Sequence, residues 1–173
     1  ADTRPLPNWA RPARWDDPVD LTSPTAVGRQ LYGGDLDGIT EHLDHLVDLG
    51  VDVLYLTPFF PARSNHRYDA TSFDAVDPLL GGDEALRRLT AAAHGHGIRV
   101  LGDFTTNHTG AGHAWFCAAL ADPDAPERAF YFIEDDGRYA AWLGIRSLPK
   151  LNHASPELRR RMFHDEQGVV RKW

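Results

Sequence analysis

Four groups of side chains in this sequence have the types and spacing to do chemistry. Asp103-Phe104-Thr105-Thr106-Asn107-His108 runs off the end of an apolar segment. In α/β sheets the ends of such strands form the ligand face, so an Asp, an Asn and a His there converge on a polar ligand or simply cap a solvated loop. Ser64-Asn65-His66-Arg67-Tyr68-Asp69 follows an earlier apolar segment. A tyrosine ring beside several hydrogen-bonding groups suits a sugar, and equally an ordinary polar loop. The nine histidines include His94-Gly95-His96, which straddles a helix end, and His42 with His45 at i, i+3. No HExxH spacing occurs, which favours solvated side chains over a metal centre. Glu134-Asp135-Asp136 precedes a glycine and reads as turn chemistry rather than catalysis. The phosphate-binding glycine motifs and the GxSxG elbow are absent, so nucleotide-binding and serine-hydrolase readings have no support.

These groups need elements to hold them. Ile39, Leu43, Leu46 and Val47 give the stripe of an amphipathic helix, capped by Asp35 or Asp37 and ended by Gly50. Val51 to Thr57 is an apolar, β-branched run stopped by Pro58, the pattern of a strand buried on both faces in a parallel sheet. A second helix, capped by Asp83, carries Leu86, Leu89 and Ala93 and ends at Gly95 and Gly97; a second buried strand follows at Ile98–Gly102. Helix, strand, loop, helix, strand is the alternation of an α/β fold. Residues 1–30 hold five prolines and no period, and read as irregular. Residues 110–152 break the rhythm and include a β-hairpin, with 130–134 and 138–142 flanking Asp135-Asp136-Gly137. Inserted stretches of that length usually carry function. Ser155-Pro156-Glu157 then starts a helix whose buried side is Leu158, Met162 and Phe163.

The 173 residues are 42% hydrophobic, enough for one globular core and too apolar for intrinsic disorder. A net charge of −7 argues against a nucleic-acid partner, and no apolar run is long enough for a membrane span. One cysteine, Cys117, forms no internal disulfide; with no signal-peptide pattern, a cytoplasmic location is expected. The chain opens without Met and closes mid-pattern, so both ends read as cuts in a longer protein.

Several motifs, in order, resemble the alpha-amylase superfamily of glycoside hydrolases. They are Tyr32-Gly33-Gly34-Asp35-Leu36-Asp37-Gly38-Ile39, Leu54-Tyr55-Leu56-Thr57-Pro58, Asn65-His66-Arg67-Tyr68-Asp69, and Asp103 to His108. Leu148-Pro149-Lys150-Leu151-Asn152 is similar to a short signature of the neopullulanase, cyclodextrinase and maltogenic amylase branch. The resemblance implies an α/β fold, a partial (β/α)8 TIM barrel holding the second and third strands, with an excursion domain inserted after the third. It divides the chain into 1–30, an irregular segment; 31–108, partial barrel; 109–152, excursion; and 153–173, a helix leading toward a fourth strand. Retaining hydrolysis of α-linked glucans is implied, by a two-carboxylate mechanism.

In this numbering the resemblance makes Tyr68 and His108 the substrate-binding residues. Asp103, Asn107, His66 and Asn152 organise the site. Gly33 and Asp35 are the candidate calcium ligands, no other cofactor being implied; the upstream Asn/Asp cluster that such sites draw on is not in the chain. The nucleophile Asp, the acid Glu and a third Asp are expected beyond Trp173. The partner implied is an α-glucan oligosaccharide, and open barrel edges imply self-association of the chain taken alone. A related α-glucosidase, a glucan-transferring enzyme and a non-catalytic carbohydrate-binding module are the alternatives.

Overall fold

The structure, a computed structural model, describes residues 5–173. It divides into two compact units: residues up to Arg67 with Ala75–Phe104, and Tyr68–Asp74 with Thr105–Trp173.

The first unit opens with a surprise relative to its proline-rich sequence. β1 (Arg11–Pro12) pairs in parallel with β2 (Gln30–Leu31), and between them α1 (Pro24–Val27) makes one turn. The 1–30 segment is therefore not wholly irregular. Pro24 sits at the first helical position, where its missing N–H costs nothing, and Ser23 Oγ accepts the Ala26 N–H at 3.1 Å. The Gln30 side chain accepts from Asp20 N at 2.7 Å and donates to Pro18 O at 3.1 Å. Side-chain bonds to backbone hold this stretch, and they leave no hydrophobic period to read.

The helix expected over 36–50 is broken into α2 (Leu36–Glu41) and α3 (Leu43–Asp48) at His42, whose φ is −115°. Thr40 Oγ1 donates back to Leu36 O at 3.0 Å, beside the break. Asp35, not Asp37, is the cap, accepting from Gly38 N at 2.8 Å. Only Leu36 and Leu43 are buried, while Val47 is exposed. Gly50 takes the left-handed conformation, φ 74°, and ends the pair as its type predicts.

β3 (Val53–Leu56), α4 (Gly82–Gly95) and β4 (Arg99–Gly102) form the expected parallel unit, in register from Val53 opposite Arg99 to Leu56 opposite Gly102. Ala85, Leu89 and Ala93 of α4 are fully buried. The cap of α4 is Gly81, not Asp83, which sits in the first turn and accepts the Val76 N–H at 2.7 Å. Burial on both strand faces is not found either: Val53, Tyr55 and Leu101 stand 38%, 56% and 53% exposed. These residues alternate onto one face of a two-stranded sheet, which α4 does not cover.

The second unit packs around Phe116, Phe130, Leu158 and Met162, all at most 1% exposed. α5 (Ala114–Ala121) begins at His113, whose Nδ1 accepts the Trp115 N–H. The hairpin expected at 130–142 forms over its inner part only: Ile133 bridges Tyr139, Ala140 N donates to Phe132 O at 2.9 Å and Glu134 N to Arg138 O at 2.8 Å, around the Glu134–Gly137 turn. Its outer residues are drawn elsewhere: Phe130 closes a 3-10 turn (Pro126–Phe130), Tyr131 bridges Leu151, and Trp142 starts another 3-10 turn. α6 (Pro156–Arg159) is capped by Ser155 as expected, widens into a π turn at Arg160–His164, and is followed by α7 (Val169–Lys172). Leu158 and Met162 are buried, and Phe163 only half so. No helix among the described residues is long and apolar enough to cross a membrane.

Candidate functional site

Asp103 follows the last residue of β4 and is held on both sides by β3. Its N–H donates to Leu56 O at 2.8 Å, and the Tyr55 hydroxyl bonds its carboxylate, which raises the Tyr55 phenol above its ordinary pKa. Gly102 is required just before it. A Cβ there would lie 2.6 Å from the Phe59 ring, so glycine lets the aromatic pack directly onto the strand. The Ser64–Asp69 run splits by direction. His66 is exposed, its Nδ1 3.1 Å from Ser64 Oγ. Asn65 turns inward, donating to Val27 O at 2.8 Å and Gln30 O at 3.0 Å. Arg67 is 5% exposed, adopts a left-handed φ of 60°, and forms a 2.5 Å ion pair with equally buried Asp77.

In the second unit two distant motifs come together. Residues 107–111 run antiparallel to 147–151: Leu151 N donates to Asn107 O at 2.9 Å, Thr109 N to Pro149 O at 3.2 Å, and Ala111 N to Ser147 O at 2.9 Å. His108 bridges Lys150 within this ladder and is 6% exposed. Asn107 Nδ2 lies 3.1 Å from His108 Nδ1. With the amide nitrogen as donor, Nδ1 accepts, which leaves the buried Nε2 to carry the ring proton. Buried beneath the ladder, Thr109 Oγ1 meets Tyr131 OH at 2.9 Å, and burial pushes that phenol's pKa up.

Tyr68 is 37% exposed and brought to the same unit by a backbone contact. Gly110 N donates to Ala70 O at 2.8 Å, and a Cβ at Gly110 would lie 2.1 Å from Asp69 O. Asn152 closes the ladder's far end: its N–H donates to Phe130 O at 2.7 Å and its Oδ1 accepts from Ala154 N at 3.1 Å. His153 Nε2 meets Thr106 O at 2.7 Å. The structure thus gathers Tyr68, Asn107, His108 and Asn152 in one unit, with Asp103, His66, Gly33 and Asp35 in the other. Gly102, Gly110 and the Arg67–Asp77 pair were missed as site-builders. Gly110, two residues past His108, was the readable signal; a buried partner for Arg67 leaves none.

Gly33 and Asp35 are not joined by further acidic ligands among the described residues. Calcium takes six to eight oxygens. Asp35 Oδ1 serves the cap of α2, and the two residues line a cavity of about 430 Å³ whose walls include Ile39, Leu56, Pro58 and Phe59. Among the described residues no group of three or more His, Cys, Asp or Glu could hold a metal ion.

The alpha amylase catalytic domain model matches residues 11–173. The cyclomaltodextrinase of Geobacillus thermopakistaniensis (strain MAS1) is 38% identical over 162 residues, covering 89% of this chain and 26% of that protein. The type III pullulan hydrolase from Thermococcus kodakarensis superposes with a TM-score of 0.80 at 35% identity, over 87% of this chain and 27% of its own. A ligand-free cyclic α-maltosyl-(1→6)-maltose hydrolase from Arthrobacter globiformis gives a TM-score of 0.78 at 37% identity, over 84% of this chain and 34% of its own. The chain therefore spans only a minor part of each relative's length. These neighbours imply the TIM-barrel fold. On the match of the family model to all but its first ten residues, the chain belongs to the alpha-amylase catalytic-domain family.

Proposed function

We propose that the chain is part of a retaining glycoside hydrolase of α-linked glucans, in which Tyr68 and His108 form a sugar-binding wall. β3 and β4 are then the second and third barrel strands, 109–152 the excursion, and 153–173 the approach to a fourth strand. The names of the relatives, a cyclomaltodextrinase, a pullulan hydrolase and a maltosyl-maltose hydrolase, support this substrate class. Structures of the Arthrobacter enzyme in complex with cyclic α-maltosyl-(1→6)-maltose and with maltose support it too.

One observation carries the reading: the 3.1 Å contact from Asn107 Nδ2 to His108 Nδ1. It supports the tautomer that carries its proton on Nε2; that atom is buried here, and in this reading a sugar's hydroxymethyl oxygen reaches it once the site is uncovered. A donor held in place strengthens its bond as the pyranose flattens toward an oxocarbenium-like transition state, and only such strengthening accelerates the reaction. Tyr68 supplies the flat apolar wall against which that sugar stacks. Asp103, His66 and Asn152 position the loops and touch no substrate. The nucleophile, the acid and the third carboxylate lie beyond Trp173 in this reading.

In the full-length enzyme His108→Ala should cost about 2–4 kcal/mol of transition-state stabilisation, as for other positioned donors. The loss falls on kcat more than on KM. Tyr68→Phe keeps the ring face and stays mild, while Tyr68→Ala is severe. Kinetics and melting on the same variants decide the matter: a correctly folded His108→Ala protein with unchanged kcat/KM removes that residue from the site.

A further inference from the structure

We propose that residues 142–148 form a preset apolar lip on the α-glucan site, with Trp142 stacking on the sugar chain and Leu143 shaping its fit. The proposal rests on the reading of His108 as part of the sugar-binding wall. Trp142 continues that wall directly: its ring centroid lies 5.9 Å from that of His108, the planes tilted by 39°. It is nonetheless 44% exposed, so part of the indole is open to a ligand. An indole face matches the C–H face of a pyranose, and its N–H supplies one polar handle.

Leu143 is the second, independent observation. It stands 80% exposed in a left-handed conformation, φ 48° and ψ 28°, which leucine rarely adopts. Burial does not compensate for that strain, and strain of this kind gathers at ligand sites. The surrounding bonds impose it. Trp142 N donates to Leu148 O at 3.0 Å, Leu148 N to Ile145 O at 2.9 Å, and Ile145 N to Trp142 O at 2.9 Å. Tyr139 OH donates to Arg146 O at 2.8 Å, and the Arg146 guanidinium lies 4.9 Å over the Tyr139 ring. The lip is thus built before any ligand arrives, which lowers the ordering cost of binding. The occupant is the glucan because the lip adjoins His108.

The test uses the full-length enzyme with maltoheptaose, and the variants Trp142→Ala, Trp142→Phe, Leu143→Asn and His108→Ala. A stacking contact made equally in ground and transition states is uniform binding, so Trp142→Ala should raise KM by roughly tenfold with kcat nearly unchanged. Trp142→Phe should restore most of the affinity. Leu143→Asn should raise KM while the Tm holds or rises, because asparagine tolerates the left-handed region. An unchanged KM in Trp142→Ala overturns the lip, and so does a KM change that tracks a falling Tm in all three lip variants. Variants that alter only the sedimentation of the enzyme overturn it in favour of a contact between copies. A KM rise at Trp142 with no loss at His108 keeps the lip and overturns the role given to His108. A wild-type enzyme that turns over no α-glucan overturns both.

Discussion

Burial between Phe73 and Trp115, whose rings lie 5.0 and 4.7 Å from its own, lowers the His113 pKa from 6.5 to about 4, with Asp74 opposing in part. His113 is 3% exposed, its Nδ1 holds the first turn of α5, and its buried Nε2 has no hydrogen-bond partner among the described residues. Unfolded chains take up a proton at this residue below pH 6.5, whereas the folded chain resists until about pH 4. The stability it contributes is therefore whole above pH 6.5 and declines as pH falls toward 4, by about 3 kcal/mol at most. Denaturant melts at pH 7 and pH 5 should show that loss, and His113→Asn, which keeps a cap, should flatten the slope. None of this was legible in the sequence, where His113 is one of nine histidines. His108 and Tyr68 stood out in the sequence because each sits in a motif just past an apolar run, and the structure places both in the second unit. What the motif did not tell is that Asn107 orients His108 through its ring nitrogen.

At the scale of elements, the site depends on two strand-like segments touching backbone to backbone at Gly110. A Cβ there meets Asp69 O at 2.1 Å and Asp69 C at 2.6 Å, neither of which can rotate away. Gly110→Ala should therefore push the Tyr68–Asp74 segment off the ladder, costing about 2–4 kcal/mol of stability and lowering kcat/KM with it. Gly34→Ala, where a Cβ meets nothing within 4 Å, is the control and should melt like the parent. The β3–α4–β4 unit was readable because a buried helix face and two β-branched runs each follow one period. The break at His42 was not, because it falls inside an otherwise good helical stripe with no glycine or proline to mark it. The hairpin around Asp135-Asp136-Gly137 is shorter than its composition suggested: Phe130 and Tyr131 have strand-like composition, yet burial in the second unit outweighs pairing across the turn.

For the whole molecule, the open face of β3 and β4 governs the behaviour of the 173-residue chain taken alone. Val53, Tyr55 and Leu101 are exposed, and each strand has one neighbour in its sheet. Unpaired edges beside apolar surface recruit other chains. The isolated 173-residue chain should associate at micromolar concentration and turn over neither maltotriose, pullulan nor cyclodextrin. Sedimentation showing a monodisperse monomer, or turnover by the pure chain, counts against this. The ladder between 107–111 and 147–151 has a different kind of consequence. It clamps the start of the intervening loop to its end, Ala111 N on Ser147 O. Closing a loop costs entropy that grows only with the logarithm of its length, about 0.6 kcal/mol per doubling. Exposed turns between those two rungs, such as Glu134–Gly137, can therefore lengthen or shrink at small cost while His108 keeps its place opposite Lys150, whereas the buried Phe116 and Phe130 must stay. In the proposed function, this separates turns free to vary from the few residues that must stay fixed, so new substrate preferences can be tried on those turns without rebuilding the wall.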